Sequence, residues 1–309
     1  MSPRENTRPR TRMAALMFAA VFGIIALMSC EIPQNFIISN NYQTSPEPPQ
    51  EQPETTKPRT VGARLDEIIE AGVIVVAMSP DFAPMEFIDS RKEGLDRYVG
   101  TDPWFAKYIA DELNVKLAIA PMDFNSLQES VYSGKADIIM SGLGYTESRA
   151  ESLELSICYN IAADYGQGLL ILKGTEKKFQ KSEDLKNRTV AVQENTLQHE
   201  LLSSQLPDAK PKFIPDVNNG VKMLLKKEVD AIGVDGLLGL TICDNYPDLT
   251  MAEYKFKCEP QTNVIGMPKG ETALCARINE IITKAEEENR FKTWIEEAEA
   301  LAREIGWRN

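Results

Sequence analysis

The sequence predicts an α/β protein built on parallel sheets. Two observations carry that expectation: short apolar, β-branched runs recur along the chain, and stretches with apolar residues at helical spacing alternate with them. The first strand is Val73–Ala77, reading VIVVA. Asp102 and Pro103 suit a helix start. In that helix Phe105, Ile109 and Leu113 recur at helical spacing, with Lys107 and Asp111 off their face. Val115–Ala120 and Asp137–Met140 are the next strands; the second ends in a small-residue loop, Ser141-Gly142-Leu143-Gly144. Gly168–Leu172, Thr189–Val192, Lys212–Pro215, Asp230–Val234 and Leu249–Tyr254 complete the strands. Thr196 opens one intervening helix, and Val217, Val221, Leu224 and Leu225 form the stripe of another. Two long helices, Glu271–Glu288 and Arg290–Ile305, close the chain.

The ends and the composition set the compartment. Arg4, Arg8, Arg10 and Arg12 precede a run from Met13 to Met28 that is apolar apart from Gly23. Leu27-Met28-Ser29-Cys30 resembles the lipobox of bacterial lipoproteins, which implies cleavage before Cys30 and acylation of its thiol. The alternative is a transmembrane anchor, for which about 20 apolar residues are needed. Residues 1–30 are thus expected to be a signal peptide, and the chain after Cys30 to lie outside the cytoplasm, lipid-anchored on the periplasmic or extracellular face.

Glu31 to Thr60 carries Pro33, Pro46, Pro48, Pro49, Pro53 and Pro58 among polar residues. It is expected to be a disordered tether reaching roughly 90 Å, at ~3.1 Å per residue. Beyond residue 30 the chain holds 30 basic and 45 acidic side chains. That balance excludes a nucleic-acid partner. No Cys-x-x-Cys, His-Glu-x-x-His, Gly-x-Ser-x-Gly or phosphate-loop motif occurs. No metal, cofactor or catalysis is therefore expected. The only histidine, His199, reads as an exposed helix residue. Of the remaining cysteines, Cys158, Cys243, Cys258 and Cys275, the pair Cys243–Cys258 flanks a helix–turn–strand corner and is the favoured disulfide.

The stretch Asp137–Tyr159 places Arg149 after the small-residue loop. Open backbone amides followed by a fixed guanidinium suit a carboxylate. This stretch resembles the strand–S-G-M-T-I-T-x-x-R block of the bacterial extracellular solute-binding proteins of family 3, the amino-acid-binding proteins that feed ABC transporters. Further blocks resemble that family in its order and spacing. They are Met78–Phe87 (MSPDFAPMEF), Val99–Asp102 (VGTD), Phe124–Gly134, Ser182–Leu185 (SEDL), Val190–Thr196 (VAVQENT) and Val229–Asp235 (VDAIGVD).

The resemblance covers about Ala71 to Gly306. It implies the type II periplasmic-binding fold: two α/β lobes, each a parallel-dominated sheet flanked by helices, joined by a two-strand hinge. Lobe 1 is then 61–165 plus 263–309, and lobe 2 is 166–262. It further implies a monomer that closes on a polar amino acid or related zwitterion and delivers it to an ABC permease. Relatives on this fold include cyclohexadienyl dehydratases and sensor domains, which stay as alternatives.

Each implied site residue also has a plainer reading. Arg149 is a carboxylate clamp or a surface partner of Glu147 or Glu151. Gly142 lends its N–H, beside Ser141. Gly144 stands where relatives carry a Thr or Ser hydroxyl. Thr196, after Asn195, is an anion-facing helix start or simply an N-cap. Asp235 receives an ammonium or caps a helix. Phe82 lies against the ligand or packs in the core. Ser79 replaces an acid found in cation-selective relatives, while Asp81 and Glu86 compensate or face solvent.

Overall fold

Two five-stranded sheets organise the molecule. The computed structural model describes residues 61–159, 165–258 and 262–307. The expected signal peptide with Cys30 and the tether lie outside the described residues, as do 160–164 and 259–261.

The first lobe contains α1 (Arg64–Ala71), β1 (Val73–Met78), β2 (Phe87–Ile88), β3 (Tyr98–Val99), α2 (Thr101–Glu112), β4 (Lys116–Pro121), α3 (Leu127–Tyr132), β5 (Ile138–Ile139), α4 (Glu147–Ser152) and β6 (Leu153–Leu155). The second contains β7 (Gln167–Leu172), β8 (Thr189–Gln193), α5 (Leu197–Gln205), β9 (Lys210–Ile214), α6 (Val217–Leu225), β10 (Ala231–Asp235), α7 (Gly236–Asn245) and β11 (Leu249–Phe256). The chain then returns to the first lobe as β12 (Gly266–Pro268), α8 (Thr272–Glu287) and α9 (Arg290–Glu304).

The strand orders are β4-β1-β5-β12-β6 and β11-β7-β10-β8-β9. In the first sheet β1 runs parallel to β4 and β5, whereas β12 is antiparallel to β5 and β6. In the second, β8 is parallel to β9 and β10, whereas β7 is antiparallel to β10 and β11. Each sheet is therefore parallel-dominated but mixed: four strands share one direction and one is reversed. The reversed strands are β7 and β12, the first strands after each crossing between lobes, and each enters its sheet from the opposite end.

Alternation along the strands builds the core. On one face of the first sheet Ile74, Val76, Met78 and Ile138 pack against Phe105 and Ile109 of α2 and Ile278 and Ile282 of α8; Ala77 and Ile139 face α3 on the other side. In the second sheet Leu170, Ile232 and Val234 face α6 and α7, while Leu169, Ile171, Val190 and Val192 face α5. Each such fully buried aliphatic side chain contributes about 1.5–3 kcal/mol. Phe87 and Val99 of the β2–β3 ribbon and Ala298, Ala302 and Trp307 join the α6–α7 cluster, so first-lobe residues and the C-terminal helix pack onto the second lobe.

The same two-faced geometry overturns the expected Cys243–Cys258 disulfide, which is not formed. Cys243 packs with the α6–α7 face of the second sheet and Cys258 with the α5 face, so a sheet separates the two sulfurs. A disulfide needs Cα atoms within about 7 Å and converging side chains.

Candidate ligand-binding site

Loops at the carboxyl ends of parallel strands converge between the lobes, where open α/β sheets bind ligands. The cavity there is lined by Asp81 and Phe82 after β1, Ser141, Gly142 and Gly144 after β5, and Gln193 and Thr196 at the end of β8. Val217 after β9 and Asp235 at the end of β10 complete it from the second lobe.

Arg149 projects into this cavity from α4, a helix capped by Thr146 Oγ1, which accepts from the Arg149 amide at 3.2 Å. Arg149 is 8% exposed. Its Nη1 donates to the Gly144 carbonyl (2.6 Å) and its Nη2 to the Asn195 carbonyl of the second lobe (2.9 Å). The Phe124 ring lies under it at 5.5 Å. Its hydrogen-bond partners are carbonyls, not the carboxylates of Glu147 or Glu151. Burial lowers its pKa, opposed only by the charge of Glu200. A buried guanidinium with spare donors and no carboxylate partner attracts an anion.

Asp235 faces the same cavity from the other lobe. Its Oδ1 caps α7, accepting from Leu237 N (2.8 Å) and Leu238 N (3.4 Å), and its Oδ2 accepts from Gln167 Nε2 (2.8 Å). Both readings of this residue thus coexist, since a carboxylate has about four acceptor positions. Thr196 likewise caps α5, accepting from His199 N (3.2 Å) while donating to the Gln193 carbonyl (2.7 Å). Asn195 lies behind it with φ 58°, a left-handed conformation that Asn tolerates. It is the Asn195 carbonyl that steadies Arg149.

Two expected donors are otherwise engaged. The Gly142 N–H goes to Asp102 Oδ2 at 2.8 Å, so it is not open to a ligand carboxylate. The Ser141 hydroxyl accepts from Ser79 N (2.9 Å) and donates to Glu86 Oε1 (2.8 Å). Gly142 is needed instead for closeness: with φ +51°, a Cβ there would sit 2.4 Å from Phe82 Cε1. Phe82 itself lines the cavity. Ser79 lies outside the lining and donates its hydroxyl to Asp81 Oδ1 (2.9 Å).

The sequence underrated the acids. Glu86 is 0% exposed, not solvent-facing, and lines the cavity. Asp102, expected only as a helix starter, is also 0% exposed and accepts from Tyr159 Oη at 2.8 Å. Burial pushes Asp102 up to about 6; burial and the Asp102 charge push Glu86 well above the usual carboxylate range. Asp81 crosses between the lobes, its Oδ2 accepting from Gln193 Nε2 (3.1 Å) and Val217 N (3.2 Å). Burial raises it to about 6. The available signal was local: Glu86 sits between Met85 and Phe87, apolar neighbours unlike those of a surface acid.

The family model of the bacterial extracellular solute-binding proteins, family 3, matches residues 74–297. The chain belongs to this family. A solved relative in structure is the amino acid ABC transporter substrate-binding protein AbpA from Streptococcus pneumoniae bound to L-arginine. It is 29% identical with a TM-score of 0.71, covering 77% of this chain and 98% of that one. The arginine-binding extracellular protein ArtP of Bacillus subtilis is 32% identical over 127 residues, 41% of this chain and 46% of its own length. The cyclohexadienyl dehydratase of Pseudomonas aeruginosa is 31% identical over 123 residues, 40% of this chain and 43% of its own. This family 3 protein thus spans under half the length of those two relatives in its alignments. Among its described residues no helix is long and apolar enough to cross a membrane.

Proposed function

We propose that this family 3 protein captures a polar amino acid or related zwitterion and hands it to an ABC importer. The observation that carries the reading is the buried Arg149 guanidinium, open toward a cavity whose opposite wall bears Asp235. The ligand carboxylate pairs with the spare N–H groups of Arg149, and its ammonium faces the Asp235 carboxylate. Thr196, Asn195 and Gly144 hold the walls in place, and the ligand side chain runs along Phe82 toward Glu86. Ser141 and Gly142 shape the loop through their bonds to Glu86 and Asp102. Ser79 acts only through Asp81.

In this reading the lobes are 61–165 with 263–309, and 166–262, and they hinge at the two connections between them. Cys30 carries the lipid, and the tether lets a monomer reach the permease from the membrane surface. The relatives bound to or named for arginine support an amino acid as cargo.

A catalytic reading has one observation in its favour: Glu86 is a buried acid in the cavity wall with its pKa raised, as a general acid requires. One experiment separates the two. The purified protein is titrated calorimetrically with the common amino acids and, separately, incubated with prephenate. One-site binding of an amino acid without formation of phenylpyruvate supports the binding protein. Phenylpyruvate formation moves the assignment to a dehydratase, and failure of every amino acid to bind defeats the proposal.

A further inference from the structure

Arg149 and Asp235 account for the two poles of a zwitterion, but not for the acid between them. Glu86 Oε1 accepts from Ser141 Oγ at 2.8 Å. Its Oε2 is buried and meets no N–H or O–H donor. The Asp102 amide donates to the Met85 carbonyl at 2.9 Å, and the Asp102 and Glu86 carboxyls accept from the adjacent residues Gly142 and Ser141, so the two buried acids are neighbours. Two neighbouring buried carboxyls are not both charged, and one keeps a proton. Asp102 receives Tyr159 Oη and Gly142 N, both at 2.8 Å, which favours its charged form. Glu86 has only a serine hydroxyl, and so carries the proton.

The groups facing Glu86 agree. From α2 comes Asp102, from the loop after β1 Asp81, and from beyond β6 Tyr159, whose phenol burial keeps protonated. Arg149 and Asp235 line the same cavity. A zwitterion offsets Arg149 and Asp235 and leaves Asp81 and Glu86 with no counter-charge. A buried acid in that position either keeps its proton or gains a cation.

We infer that Glu86 and Asp102 hold one proton between them, and that a cationic group on the ligand side chain, arriving beside Glu86, displaces it to solvent. This rests on the proposed function and narrows its cargo to amino acids ending in a guanidinium or an ammonium. The Glu86 O–H bond breaks, its electron pair stays on the carboxylate, and the proton passes to buffer while the ligand cation takes its place. Capture then releases one proton, and affinity rises roughly tenfold per pH unit wherever the free protein holds that proton.

The test uses L-arginine and L-glutamine as probes. Titration calorimetry in buffers of different protonation enthalpy counts protons released per ligand. Difference infrared spectroscopy of the unmutated protein follows the carbonyl band of a protonated carboxyl. The expected result is about one proton released per arginine, loss of that band on binding, and no release in Glu86→Gln. Arginine binding without proton release, a band that persists in the complex, or binding of glutamine but not arginine each overturns the inference while leaving an amino-acid-binding protein intact. Failure of every amino acid to bind defeats the parent reading and this inference together.

Discussion

Arg149 and Asp235 face one cavity from opposite lobes, yet they are held in different ways. Arg149 reaches across the gap and bonds the Asn195 carbonyl of the other lobe. Asp235 stays at home, capping α7 and accepting from Gln167 of its own sheet. Asp81 crosses like Arg149, from the first lobe to Gln193 and Val217 of the second. Gly142 stays, tied to Asp102 and pressed on Phe82 within the first lobe. Residues that cross couple ligand binding to lobe closure; residues that stay couple it to the stability of a single lobe. Mutations in the two groups therefore separate in what they change.

The largest expected effect is that of Arg149→Ala. It removes the buried charge proposed to meet the ligand carboxylate and one bond between lobes. Loss of one partner of a buried pair costs about 3–5 kcal/mol, so affinity falls by roughly two to three orders of magnitude. The melting temperature of the ligand-free protein changes little, because the lost bonds are to two neutral carbonyls and not to a charged partner. Calorimetric titration beside thermal melting checks both halves, and an affinity within threefold of the parent breaks the comparison at its strongest point.

Asp235 sharpens the contrast because one side chain does two tasks. Asp235→Asn keeps an N-cap acceptor and loses the charge, so it lowers affinity by roughly tenfold to a hundredfold, the ~1.5–3 kcal/mol of a charged hydrogen bond, at unchanged stability. Asp235→Ala loses the cap as well, and global stability drops by a further ~1 kcal/mol. If denaturant midpoints of the two variants coincide, the cap at α7 does not hold this pole in place.

Gly142→Ala belongs wholly to the group that stays. The new methyl meets Phe82 at 2.4 Å in a backbone conformation with φ +51°. We expect a loss of about 1–3 kcal/mol in stability. Gly174→Ala is the control: φ there is +86° with nothing within 4 Å, so it carries strain without the clash. The difference between the two melting temperatures isolates the Phe82 contact, and equal values show that the ring yields.

What the sequence made legible follows the same division. Strands such as Val73–Met78 and Thr189–Gln193 announce themselves by β-branched runs, and Thr196 and Asp235 mark helix starts by residue type. The short strands β2, β3, β6 and β12 carry too few residues for any period, so they emerged only from their sheet partners. Arg149 was legible as a cavity charge, whereas its carbonyl partners at Gly144 and Asn195 were not, because a backbone acceptor leaves no trace in residue identity. The burial of Glu86 and Asp102 was not legible, because neither residue type announces burial. The sulfur pairing failed for a related reason: Cys243 and Cys258 are near in sequence, but spacing does not say which face of a sheet each will occupy.

The smallest effect concerns Asp81, and its sign is the informative part. Its carboxyl is lifted from 3.8 to about 6 in the folded protein by burial and by the charge of Asp216. Between those two values the folded chain holds a proton that the unfolded chain has lost. Stability from this group is therefore greatest near pH 4, declines as pH rises toward 6, and is level above. That is opposite to Asp89, which Arg91 holds below its usual range and whose stabilisation is lost on acidification. Asp81→Asn removes the Asp81 share; Asp102 titrates in both proteins, and the Asp81 charge otherwise acts on Glu86, which is already held well above the usual carboxylate range. Urea unfolding followed across this range should show the stability of the parent minus that of the variant shrinking as pH rises. The slope arises only if Asp81 is enclosed between Ser79, Gln193 and Val217 in solution. A difference that does not vary with pH means the carboxylate stands in water and does not tie the two lobes.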